Sequence, residues 1–103
     1  MGGFTTVARL DEVPEGALHG VEVDGVRIVI ANSGGMLYAL KDECSHEEFP
    51  LSSGELNGGR ITCILHGASF DLATGAVRAL PAVRPVPTYE CRVQGNEIQV
   101  KVD

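Results

Sequence analysis

Cys44-Ser45-His46 and Cys63-Ile64-Leu65-His66 are the two stretches that decide how this chain folds and what it holds. Sixteen residues, 47 to 62, separate them. Each stretch offers one thiolate and one imidazole from a short segment. Close spacing within a loop aims two side chains at one centre without extended backbone, and two such loops bracket that centre from both sides. The other cysteine and histidine of the chain, Cys91 and His19, stand apart from this set.

Singly, a cysteine is a common core residue and a histidine a common polar one. Two mixed pairs at such spacing point instead to a metal. A tetrahedral zinc site accepts two cysteines and two histidines, but its usual spacing pairs like with like. An iron–sulfur centre ligated by two thiolates and two imidazoles uses the mixed arrangement. From the residues alone, zinc and iron–sulfur both remain open.

Outward from the motifs, the chain reads as short strands and tight turns. Phe4–Arg9 is a first strand, followed by a turn over Asp11–Gly16. Ala17–Val23 and Val26–Asn32 flank Asp24-Gly25, a strong hairpin signal of type I′. Ser33-Gly34-Gly35 turns the chain into a third strand, Met36–Leu40. Apolar alternation stops from Lys41 to Gly59, where acidic residues crowd in. Asn57-Gly58-Gly59 is a turn, Arg60–Thr62 and Ser69–Leu72 are short strands, and Ala73-Thr74-Gly75 closes a hairpin. The segments at Leu80-Pro81-Ala82 and Pro85-Val86-Pro87 are unsuited to a central strand. Tyr89–Val93 and Glu97–Val102 are the last strands.

No segment carries a 3.6-residue apolar period over three turns. The prediction is an all-β, antiparallel sandwich or barrel in one domain, 1–103. A base of 1–41 and 83–103 would support a smaller subdomain, 42–82, that carries both motif loops.

The bulk numbers agree with a small folded domain. The chain has 103 residues, 44% of them apolar, with five aromatics and no Trp. The net charge of −6 disfavours a nucleic-acid partner and suits a basic docking surface on a protein. Three cysteines are not a disulfide framework, and no apolar run approaches a bilayer span. These features suggest a monomer of the reducing cytoplasm.

The chain resembles the Rieske family, and most closely the soluble Rieske-type ferredoxins of bacterial aromatic-ring oxygenase systems. The resemblance rests on the Cys-x-His and Cys-x-x-His pair and on its surroundings, Cys44 to Glu55, His66 to Gly75 and Leu80-Pro81-Ala82. It implies one [2Fe–2S] cluster per chain, with Cys44 and Cys63 on one iron and His46 and His66 on the other. It implies an electron carrier rather than an enzyme, serving aromatic hydrocarbon catabolism. A flavoprotein reductase would supply the electron and a terminal oxygenase would take it. The rival functions are a Rieske-like small subunit of another redox enzyme, such as a nitrite reductase, and a zinc-binding interaction module.

The resemblance also bears on the residues beside the ligands. High-potential relatives carry a loop disulfide, a Ser after the His-Gly and a Tyr two residues later. Here the corresponding positions hold Leu65, Ala68 and Phe70. The expected potential is therefore low, about −150 mV. Gly67 is expected to bring backbone amides toward the cluster, and Pro81 to lie in a third covering loop. Phe49, Leu51 and Phe70 read as core. Asp42, Glu43, Glu47, Glu48 and Glu55 read as an acidic region, with Glu47 and Glu48 as docking candidates.

Overall fold

The computed structural model describes residues 3–44, 50–64, 67–80 and 84–102. Its strands are β1 (Thr5–Arg9), β2 (Leu18–Val23), β3 (Val26–Ser33), β4 (Met36–Lys41), β5 (Glu55–Asn57), β6 (Arg60–Thr62), β7 (Ser69–Asp71), β8 (Val77–Ala79), β9 (Thr88–Gln94) and β10 (Glu97–Lys101). Three-residue 3-10 turns cover Leu10–Glu12 and Leu51–Ser53.

Every pairing is antiparallel. The strands before residue 42 and after residue 87 join in one six-stranded sheet, ordered β1-β10-β9-β4-β3-β2, and together the sheets make a nearly closed barrel. β5-β6-β7-β8 form a separate four-stranded sheet. The all-β prediction therefore holds. Asp24 and Gly25 have φ of 51° and 79°, the left-handed pair that a type I′ turn requires.

β5 and β8 have no counterpart among the strands read from sequence. Both are only three residues long, too short for their alternation to stand out, so their place comes from pairing, β5 on β6 and β8 on β7.

The wall between two apolar clusters is built by β3 and β4. Side chains alternate across a strand, so successive residues enter opposite cores. Val29, Ala31 and Leu40 face a cluster that includes Cys44, Leu51, Ile61, Cys63, Ala68, Phe70 and Leu72. Ile28, Ile30 and Ala39 face the other, with Val13, Val23, Ile98 and Val100. This two-sided burial explains why β3 reads as an almost unbroken apolar run. It also seats the four-stranded sheet against the face of β3 and β4 that lies opposite the second cluster.

Asn32 is the polar exception at the end of that run. Its Nδ2 donates to the Val13 carbonyl at 2.8 Å, and its Oδ1 accepts the Gly35 amide at 3.0 Å. A buried amide so paired ties the connection before β2 to the β3–β4 turn.

Candidate metal centre

Cys44 lies three residues past the end of β4. The chain leaves that strand under three backbone bonds: Lys41 amide to Pro87 carbonyl at 3.0 Å, Asp42 to Arg27 at 2.9 Å, and Glu43 to Lys41 at 2.9 Å. Cys63 directly follows β6. Its amide donates to the Ala68 carbonyl at 2.7 Å, and its carbonyl accepts the Gly67 amide at 3.0 Å. These bonds extend the β6–β7 pairing and close the second motif loop into a tight hairpin end.

The two loops deliver their cysteines to one place. Cys44 and Cys63 are 4% and 2% exposed and belong to the same apolar cluster, and neither is in a disulfide. Leu51, Ile61, Ala68 and Phe70 surround them with no exposure. Two thiols from separate loops in one dry cluster form half of a donor set that fits an iron–sulfur group. His46, His66, Phe49, Pro81, Glu47 and Glu48 lie outside the described residues. Among the described residues no three His, Cys, Asp or Glu side chains converge on a metal.

Leu51 and Phe70 take the core positions expected of them. Gly67 has φ of 78°, a left-handed conformation that suits glycine. Its amide, however, donates to the Cys63 carbonyl, and the Cys63 amide to Ala68. The Gly67 and Cys63 amides are thus used within the hairpin, and the amides of residues 65 and 66, to which the expectation of inward-pointing donors also applies, lie outside the described residues.

The acidic region also divides. Glu55 is exposed, and Glu43 is half-buried with an ion pair to Lys41 at 3.3 Å. Asp42 turns inward and is 6% exposed, accepting hydrogen bonds from Ser52. Nothing in its sequence context separates Asp42 from its acidic neighbours; only its position at the foot of the loop does.

On the far side of the small sheet, Arg78 donates to the Asp71 carboxylate at 2.8 Å across the β7–β8 turn. That bond, with the Ala73 amide, holds the Asp71 pKa below its ordinary value. Cys91 sits half-buried on β9 opposite Val100 and packs against the second cluster. Burial pushes its thiol pKa up to about 11. It belongs to the barrel core, away from the other two thiols.

The model of the Rieske [2Fe–2S] domain matches residues 3–90, most of the chain. The chain belongs to the Rieske [2Fe–2S] family. One relative of this Rieske protein is the biphenyl dioxygenase ferredoxin subunit of Pseudomonas sp. (strain KKS102), 36% identical over 98 residues, covering 94% of this chain and 90% of the relative. Among solved structures, the ferredoxin of carbazole 1,9a-dioxygenase from Nocardioides aromaticivorans IC177 superposes with a TM-score of 0.90 at 38% identity, covering 94% of this chain and 95% of that one. A chain from a complex of reduced oxygenase and oxidized ferredoxin in carbazole 1,9a-dioxygenase superposes at 0.89 with 28% identity, covering 94% and 91%. The homologues are ferredoxin electron carriers of dioxygenase systems, not catalytic enzymes. A Rieske domain implies a [2Fe–2S] cluster, and the buried thiol pair is chemically suited to it. No helix among the described residues is long and apolar enough to cross a membrane.

Proposed function

We propose that Cys44 and Cys63 hold one iron of a [2Fe–2S] cluster, that His46 and His66 hold the other, and that the chain carries single electrons from a flavoprotein reductase to a terminal, aromatic-ring-hydroxylating oxygenase. The observation that carries this reading is the meeting of Cys44 and Cys63, from two separate loops, in one buried cluster. When bound, such a cluster takes up and releases one electron, at a potential above that of four-thiolate clusters.

The chain's own residues supply the rest. Leu51, Ile61 and Phe70 keep water from the thiol side, which sustains a low local dielectric. The cysteines end up inside, which leaves the histidine side as the route for electrons to a partner. The unit works as one monomeric domain, with 42–82 as its cluster-binding part on a base of 1–41 and 83–103. The absence of a disulfide among the three cysteines suits a reducing, cytoplasmic compartment.

Glu47 and Glu48 adjoin His46 in sequence and would steer a basic partner surface. The test is anaerobic reduction of the iron-loaded protein by flavoprotein reductases, followed by optical and EPR spectroscopy and by turnover with an oxygenase. A rhombic signal of a mixed-ligand [2Fe–2S] centre and electron delivery are expected. A colourless zinc protein, or a cluster that no reductase reduces, would overturn the proposal. Charge reversal at Glu47 and Glu48 should slow transfer and weaken its salt dependence.

A further inference from the structure

We infer that Asp42 and Ser52 form a clamp that closes the first motif loop at its foot and fixes where Cys44 sits relative to Cys63. The inference rests on the ligand assignment proposed above and concerns positioning residues, not ligands. Asp42 lies two residues before Cys44, and Ser52 lies on the 3-10 turn where the loop returns. One carboxylate oxygen of Asp42 accepts the Ser52 amide at 2.7 Å, and the other accepts the Ser52 hydroxyl at 2.7 Å. Both distances lie within the range of good N–H···O and O–H···O hydrogen bonds. The ten-residue separation is thus closed at its base by two of them.

The clamp is anchored on both sides. The Asp42 amide donates to the Arg27 carbonyl on β3 at 2.9 Å, which fastens it to the wall strand. Asp42 Oδ2 and Ser52 Oγ sit over Gly20 of β2, where a Cβ would come within 3.0 Å and 3.2 Å of them. On the return side, the Gly54 amide donates to the Leu51 carbonyl at 2.9 Å. A Cβ on Gly54 would collide with the Thr62 carbonyl, and Thr62 immediately precedes Cys63. Cys44, Asp42, Ser52, Gly54, Thr62 and Cys63 therefore form one continuous physical link between the thiols.

The burial of Asp42 makes the link more than decoration. A carboxylate withdrawn from water is retained only where its oxygens are satisfied, and here Ser52 satisfies both. Partners behind metal ligands typically matter by 10–100-fold in metal affinity.

The test uses the full-length, cluster-loaded protein and follows bleaching of the cluster by excess chelator, with EPR of the reduced state. Asp42→Ala should release the cluster about tenfold faster or more and shift the EPR g-values. Ser52→Ala should do so more weakly. Asp42→Asn should restore near-normal release, because its amide oxygen still accepts the Ser52 amide and its NH₂ donates to the Ser52 oxygen. Ile98→Val, trimmed in the other core, controls for general destabilisation. If Asp42→Ala does not fold, Ser52→Ala carries the comparison alone. Normal iron and sulfide loading with release no faster than in Ile98→Val at matched thermal midpoint would overturn the clamp alone. Absence of cluster in the unmodified protein would overturn the ligand assignment, and the clamp with it.

Discussion

Across the mouth of the second motif loop, the amide of Cys63 donates to the carbonyl of Ala68 at 2.7 Å. The bond places the Ala68 methyl, with no exposure, in the same cluster as Cys44, Cys63 and Phe70. Neither Ala68 nor Phe70 has a side-chain donor for a cluster or ligand sulfur. Donors there stabilise the reduced, more negative state, so their absence keeps the potential low. A redox titration should give about −150 mV for the unmodified protein. Ala68→Ser and Phe70→Tyr should each raise it by tens of millivolts, on the order seen for hydrogen-bond tuning within the family range. A clearly positive starting potential would contradict this account.

Removing the cluster should weaken the fold as well as silence it. Cys44 and Cys63 are buried beside Leu51, Ile61 and Phe70, so metal bonds would cross-link two loops inside a core. Metal binding to a site formed only in the folded state is folding free energy. If about 2 kcal/mol is lost, the midpoint falls by roughly 10 °C for a domain of this size. Calorimetry of loaded and chelator-stripped protein reads the difference directly; equal midpoints would place the cluster outside the stability of the fold.

The two cores can be separated by mutation. Leu40 on β4 backs the cysteine cluster, and Ile98 on β10 fills the other core, each with no exposure. Leu40→Ala and Ile98→Ala should each cost about 2–5 kcal/mol in denaturant unfolding. Only Leu40→Ala should also change the EPR line shape, because only its cavity opens toward Cys44 and Cys63. Equal spectral effects from both would mean that the wall of β3 and β4 does not insulate the site.

Much of this was legible in the residues. Asp24-Gly25 announced its turn because two left-handed residues are demanded there and few sequences supply them. The run from Ile28 to Ala31 announced a strand, but not that its alternate residues feed different cores, since both faces are apolar and period two is hidden. β5 escaped because Glu55-Leu56-Asn57 carries a single apolar side chain and takes its place from pairing with β6. The fate of Asp42 escaped for a different reason. Its carboxylate turns inward only because Ser52, ten residues away, returns to meet it, and local composition holds no trace of that encounter.

Cys91 offers a pH-dependent probe of the barrel. Desolvation raises its thiol pKa from the ordinary 9.0 to about 11. The thiolate is the reactive species, so alkylation of the folded protein should be slow at neutral pH and rise about tenfold per pH unit until near 11. At pH 8 the unfolded chain should react at this residue roughly 100-fold faster than the folded one, the ratio of the two thiolate fractions. The same shift has a stability consequence of definite sign. Because the folded pKa is the higher one, the contribution is fully present below pH 9.0 and is lost as pH rises through about 11. Mass spectrometry of iodoacetamide-treated, cluster-loaded protein resolves the site. Rapid neutral-pH labelling of Cys91 would show that the β9–β10 pairing opens far more readily than the packing of Cys91 against the second cluster allows.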